Sequence, residues 1–99
     1  MPKPEVERKV IIFLKKIPRG KVATYKSIGE RFNLHPRVVG LIMSRNKHPE
    51  LFPCFKVINS NGELGGYSGV GGLRKKAELL RKDGVKFEKR INLRKYLWS

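Results

Sequence analysis

Val6, Val10, Phe13, Leu14 and Ile17 recur at offsets of four, seven, eight and eleven residues, which gathers them on one face of an amphipathic helix. Pro18 and Gly20 follow at once, so this helix is expected to end at Ile17. Val22 and Ala23 lead into Thr24, a good N-cap, and Tyr25, Ile28 and Phe32 predict a second, short helix over about residues 25–32. Asn33-Leu34-His35 breaks the pattern. Pro36 suits the first position of a third helix, whose apolar face is Val38, Val39, Ile42 and Met43 and whose end falls near Arg45-Asn46. Beyond Asn46 the chain is richer in Pro and Gly. Phe55-Lys56-Val57-Ile58 alternates as a short strand does, Asn61-Gly62 signals a turn, and Gly65, Gly66, Gly69, Gly71 and Gly72 make a loop that a ligand can approach closely. A fourth helix over about residues 73–82 carries Leu73, Ala77 and Leu80 on one face and pairs Glu78 with Lys82, with Gly84 as its stop. Val85-Lys86-Phe87-Glu88 alternates like an edge strand, and Tyr96-Leu97-Trp98 reads as an end that docks on the core.

These elements predict a mainly α fold: a winged helix-turn-helix-like three-helix bundle with a short β-hairpin wing and a further C-terminal helix. Ninety-nine residues leave no room for a second core, so a single domain over residues 1–99 is expected. Charge then changes the picture. Against 23 Lys and Arg stand 8 Asp and Glu, a formal charge of +15 that points to a polyanionic partner. Two short helices three or four residues apart, with Arg37 near the start of the second, have the outline of a DNA reader. That outline is shared by helical bundles that touch no nucleic acid, and the charge is what favours DNA or RNA. The longest apolar run, Val10 to Leu14, falls far short of the roughly 20 residues of a bilayer crossing. Lys15-Lys16 follow it with no cleavage site, so neither a membrane association nor a secretory signal is expected. Cys54 is the single cysteine, which excludes an intramolecular disulfide and a Cys-rich zinc site. A reducing, cytoplasmic setting, a monomer, and no metal or other cofactor are expected.

Taken singly, the chemical candidates are ambiguous. A lone cysteine between Pro53 and Phe55 is by default a small buried hydrophobe, and reactivity needs a thiolate with a nearby cation, helix N-terminus or histidine base. His35 and His48 have no spacing that suggests a ligand pair or a dyad and read as solvated loop residues. Lys56 would share a strand face with Cys54. Tyr25 alone reads as a packing aromatic and Arg37 as a solvated charge, and the glycine loop lacks the Gly-x-x-x-x-Gly-Lys-Ser/Thr pattern of a phosphate cradle.

Their order along the chain is more informative. Ile17-Pro18-Arg19-Gly20-Lys21-Val22-Ala23-Thr24-Tyr25, Arg37-Val38-Val39-Gly40, Asn46 and Pro53-Cys54-Phe55-Lys56-Val57-Ile58 follow one another. Asn61-Gly62-Glu63-Leu64-Gly65-Gly66-Tyr67-Ser68-Gly69 and Leu79-Leu80 through Asp83-Gly84-Val85 complete the series. This series resembles the DNA-binding and active-site domain of the methylated-DNA-protein-cysteine methyltransferases, or alkylguanine-DNA alkyltransferases, over nearly the whole chain. The family's variable N-terminal domain has no counterpart in these residues. The resemblance implies double-stranded DNA containing alkylated guanine as partner. It implies that Tyr25 helps rotate the nucleotide out and lines its pocket, and that Arg37, on a recognition helix in the minor groove, fills the gap. It further implies that the backbone at Val57 and Ser68 contacts the guanine, that Ser60 and Tyr67 shape the pocket, that Lys56 lies among the DNA-binding positions, and that Asn46 holds the turn leading to the cysteine. Cys54 would take the alkyl group from the guanine oxygen and keep it, so that each molecule acts once.

Two positions depart from the family pattern. Active members read Pro-Cys-His-Arg-Val, with the histidine relaying a proton between cysteine, water and a late glutamate. Here Phe55 stands for the histidine, Lys56 for the arginine and Asp83 for the glutamate. Phenylalanine cannot act as a base, yet a thiol of ordinary acidity, near 8.5, is still about a few per cent thiolate at neutral pH. The resemblance therefore leaves two readings: transfer of the alkyl group to Cys54, or non-catalytic binding of the lesion in the manner of alkyltransferase-like proteins, which lack the cysteine and flag damage for another pathway.

Overall fold

The computed structural model describes residues 2–67 and 69–98. Helix α1 (Pro4–Phe13) opens on a proline with Glu5 and Glu7 in its first turn, where a missing N–H costs nothing and negative charge opposes the helix dipole. It tightens into a 3-10 turn over Leu14–Lys16 and stops before Pro18, as the apolar spacing predicts. Strand β1 (Ala23–Thr24) feeds helix α2 (Tyr25–Phe32) through a reciprocal cap, in which Thr24 Oγ1 accepts from Ser27 N–H and Ser27 Oγ accepts from Thr24 N–H, each at 2.9 Å. Asn33 then takes the left-handed conformation (φ 56°), and helix α3 (Pro36–Ser44) starts behind His35, whose Nδ1 accepts from Arg37 N–H at 3.1 Å. His35 is thus a cap as well as an exposed loop residue.

The segment after Asn46 departs from the alternating pattern. Cys54–Lys56 is a 3-10 turn, and only Val57–Ile58 is extended, as strand β2. It pairs in parallel with β1, Ala23 opposite Val57 and Thr24 opposite Ile58, so the sheet is not a hairpin. The expected wing is reduced to a tight turn in which Asn59 N–H reaches Glu63 C=O at 2.9 Å. It cannot lengthen into a ladder, because the next carbonyls, Leu64 and Gly66, turn to the Lys76 ammonium.

Helix α4 (Gly72–Lys82) buries Lys76 and Leu80, whereas Leu73, expected on the inner face, is 54% exposed. The Glu78–Lys82 pair forms at 3.4 Å. At its end Gly84 (φ 95°) donates to Arg81 C=O and Val85 N–H closes back to Leu80 C=O. The edge strand expected at Val85–Glu88 is absent. Val85 is core, Lys86 N–H is used by the Tyr96 hydroxyl, and Phe87 lies under the Arg81 guanidinium. A short helix α5 (Leu93–Tyr96), too brief to leave a periodic signal, is capped by Asn92. The tail docks as expected: Val22 bonds both Tyr96 C=O and Trp98 N–H, and Trp98 stacks on Phe13 at 5.5 Å.

The short sheet divides the core in two, because successive strand residues face opposite ways. Ala23 and Val57 join Val10, Leu14, Ile28, Val39 and Ile42 between helices α1 to α3. Val22 and Ile58 join Leu80, Val85, Ile91 and Tyr96 under α4 and the tail. No helix among the described residues is long and apolar enough to cross a membrane.

The α2–α3 turn sets how α3 is presented, and Gly29 permits it. A Cβ at that position would stand 2.4 Å from Leu34 C=O, whose own N–H bonds Gly29 C=O at 2.8 Å. Gly29→Ala is therefore expected to destabilise the protein by about 2 kcal/mol or more, since backbone must move. Denaturant unfolding measures this, and an unchanged midpoint would contradict the tight turn.

Candidate functional site

Where α3, the N-terminus of α2 and the glycine loop meet, a cavity of about 510 Å³ opens to the surface. Cys54 lies at it with only 4% exposure, Tyr25 and Tyr67 stand on its sides, and Arg37, Gly40 and Ser44 bring the exposed edge of α3 to its rim. Each wall has a local cause. The Thr24 cap fixes where α2 begins and hence where Tyr25 points. Gly65 (φ 73°) lets the loop pass against the Tyr25 ring, which a Cβ there would meet at 3.2 Å.

Cys54 is held from behind. Its N–H donates to Phe52 C=O at 2.7 Å, and Asn46 Nδ2 donates to the same carbonyl at 2.8 Å, while Asn46 Oδ1 accepts from His48 N–H. One side-chain amide thus spans the loop between α3 and the cysteine.

The principal feature absent from the sequence reading is Lys76. It is fully buried, and its ammonium donates to Val57 C=O at 2.7 Å, to Gly66 C=O at 2.9 Å and to Leu64 C=O. It also lies 5.8 Å from the centre of the Tyr25 ring. Burial lowers its pKa to about 8, with the negative charge of a Cys54 thiolate acting in the opposite direction. The same thiolate charge adds to desolvation in pushing the Tyr25 hydroxyl above the ordinary phenol range, and Tyr67 moves the same way, with a further push from Glu50. A lysine inside an amphipathic basic helix reads as a solvated charge. The only sequence cue was its place on the Leu80 side, four residues before that leucine.

Lys56 and Asp83 need a different account from the one the sequence suggested. Lys56 is 3% exposed and turned inward, its ammonium 2.8 Å from Asp83 Oδ2 and 2.6 Å from Pro18 C=O. Asp83 Oδ2 also accepts from Gly20 N–H at 3.0 Å. Lys56 is therefore a structural cation and not a phosphate contact, and because Cys54–Lys56 is a 3-10 turn the two side chains do not share a strand face. The Asp83 carboxylate clamps the loop at Gly20 to the end of α4. Phe55 packs with the second core, beside Leu64, Phe87 and Leu93 in the apolar shell around Ile58 and Leu80. Of the remaining expected residues, Val57 is buried with its carbonyl on Lys76, and exposed Ser60 lies with Tyr25 along a neighbouring shallow cleft. Ser68 lies outside the described residues. Asn59 and Met43 line the cavity without having been anticipated.

The family model described as 6-O-methylguanine DNA methyltransferase, DNA binding domain, matches residues 5–85, and the chain belongs to that family. A methylated-DNA-protein-cysteine methyltransferase of Methanothermobacter thermautotrophicus is 39% identical over 84 residues, 85% of this chain and 47% of that protein. One from Pyrobaculum aerophilum is 41% identical over 81 residues, 82% of this chain and 53% of its own length. The chain spans about half the length of the curated relatives it matches. Among solved structures, S. pombe Atl1 in complex with damaged DNA containing O6-carboxymethylguanine superposes with a TM-score of 0.86 at 28% identity, covering 100% of this chain and 99% of that one. The O6-methylguanine-DNA methyltransferase of Pyrococcus kodakaraensis gives a TM-score of 0.74 at 39% identity, covering 84% and 47%.

The clamp carries a stability consequence. Asp83→Asn keeps an acceptor for Gly20 but leaves the Lys56 charge without its counter-ion, and a loss of about 2–3 kcal/mol is expected in denaturant unfolding. Pairing it with Lys56→Met should recover part of that loss. A single-variant change below about 0.5 kcal/mol would mean that the pair contributes nothing.

Proposed function

We propose that the chain binds duplex DNA through α3, seats an extruded alkylated guanine in the cavity and accepts its alkyl group on Cys54. The observation that carries this reading is the position of Cys54 against a cavity of about 510 Å³ between two tyrosines, with the buried Lys76 ammonium on the carbonyl of nearby Val57. Arg37, exposed on the rim, would occupy the space the nucleotide leaves, and Tyr25 would crowd its phosphate and face the base. In the transfer, thiolate Sγ attacks the alkyl carbon, the S–C bond forms and the C–O bond to guanine breaks. The oxygen keeps the electron pair, and the proton given up by the thiol ends on the released guanine, so the reaction needs no further reagent. The Cys54 thioether is permanent, and the molecule acts once.

Lys76 supplies the positive field for the thiolate that a histidine-containing relative would support through a base. Asp83, engaged by Lys56 and Gly20, acts through the fold and not as a relay. Val57 C=O has a second lone pair for the base after Lys76 has used the first. A free thiol suits a reducing compartment.

A second reading, binding without transfer, shares every step up to attack. It is favoured by Phe55, which offers no base, and by the match to Atl1 over the full chain.

Incubation with an O6-methylguanine duplex is expected to add one methyl mass to the Cys54 peptide, once per molecule. Cys54→Ser should remove the transfer and leave lesion binding within about threefold. Tight lesion binding with no mass shift over many hours at any pH would establish the second reading instead.

The rate should rise with pH because the thiolate is the nucleophile, then flatten or fall above about 8, where Lys76 loses its charge and one of its three donors. A rate that climbs steadily through pH 9.5 would exclude a role for the Lys76 charge. Phe55→His alone should give less than the roughly hundredfold gain of a working general base, because the carboxylate that would orient an imidazole is held by Lys56. Mass spectrometry time courses measure both.

A further inference from the structure

Away from the cavity, the molecule gathers positive charge around the C-terminal end of α4 and the loop before β1. Arg19 Nη2 donates to Lys82 C=O at 3.0 Å, and Lys21 Nζ donates to Lys95 C=O at 2.9 Å. These bonds gather the 18–21 loop, the end of α4 and α5 at one place. Lys86 joins them, its N–H bonded to the Tyr96 hydroxyl while Lys95 Nζ lies 5.3 Å from the same ring. That hydroxyl is held below the ordinary phenol range, first by the Lys86 N–H and, against desolvation, by the neighbouring Lys95 and Lys86.

None of these residues lines the cavity. Along α4, Lys82 lies six residues beyond Lys76, about 9 Å at helical rise, and Lys21 ends the loop before β1, four residues from Tyr25 and at most about 13 Å of chain away. Among the described residues, the Asp83 carboxylate beside the group is already engaged by Lys56, and Glu78 sits 3.4 Å from Lys82. Among the described residues the exposed large hydrophobic side chains are Ile12, Leu41, Leu51, Val70 and Leu73, none of them one of the residues gathered here. A cluster of cations without an apolar centre suits a phosphate backbone and not a folded protein partner.

We propose that the face formed by Arg19, Lys21, Lys82, Lys86 and Lys95 binds the backbone of a second duplex segment while the cavity face holds the first. The inference rests on the duplex-binding part of the function proposed above and does not need Cys54 to react. Occupation of both faces would let a lesion-bound molecule tether neighbouring DNA, and by neutralising phosphates it would do so in a salt-dependent manner.

The test immobilises a short O6-methylguanine duplex, loads full-chain protein and then adds a labelled unmodified duplex at low salt. Wild type is expected to recruit the second duplex. Lys21→Glu/Lys82→Glu/Lys95→Glu should lower recruitment by about tenfold or more while loading on the first duplex stays within about threefold. The milder Lys82→Gln/Lys95→Gln, which keeps the Lys21 bond to the Lys95 backbone, should lower it by about threefold and reduce the salt slope of recruitment by about 2. Thermal melts establish that each variant is folded. First-duplex loading tests the lesion-binding reading, and second-duplex recruitment tests this proposal. Failure of loaded wild type to recruit, recruitment unchanged in both variants, or equal weakening of both steps would overturn it. So would capture of poly-glutamate in place of the second duplex, which would mark the face as a site for acidic protein.

Discussion

The Lys76 ammonium is the interaction on which the candidate site depends. A lysine charge removed from water is costly, and this one is tolerated because three carbonyls, from Val57, Leu64 and Gly66, receive its three donors. Those carbonyls belong to the strand after the cysteine and to the glycine loop, so one side chain from α4 ties together the back and a wall of the cavity. The same bonds divert the loop from β pairing, which is why the expected wing is a single turn. They also place a positive charge where a Cys54 thiolate feels it. Fold and chemistry meet at this residue.

A second buried lysine works differently. Lys56 and Asp83 neutralise each other at 2.8 Å and, with Gly20 and Pro18, fasten the chain entering β1 to the end of α4. This arrangement draws on the carboxylate that the family pattern assigns to a proton relay, and Phe55, in the histidine's position, packs with the second core. The two substitutions are consistent with one another: with no imidazole to orient, the carboxylate is available as a clamp. In the proposed transfer, Cys54 would rely on electrostatic support from Lys76 in place of base catalysis.

Local signals made much of this legible. The apolar spacing of Val6 to Ile17, the Thr24 cap and Pro36 at a helix start are short-range features, and they located α1, α2 and α3. Tyr25, Arg37 and Cys54 were found through ordered motifs, and the cavity brings them together. The errors share a physical cause. Leu73 was placed inward by helical period and is exposed, Lys56 was placed by strand period and by the family pattern, and Lys76 gave no signal, whereas the burial of the two lysines is decided by partners 10 to 39 positions away. Val85 to Glu88 alternates like a strand but has its Lys86 N–H taken by a tyrosine hydroxyl, and no periodicity reports that. The parallel pairing of two two-residue strands likewise depends on long-range contacts that local pattern does not encode.

Lysine Cε-labelled NMR titrations of wild type and Cys54→Ala would test most directly whether Lys76 and Cys54 form a coupled pair. Lys76 is expected to titrate near 8 in wild type, and at lower pH once the thiol is removed, because thiolate charge favours its protonated form. A Lys76 titration at the ordinary lysine value, identical in both proteins, would contradict the account.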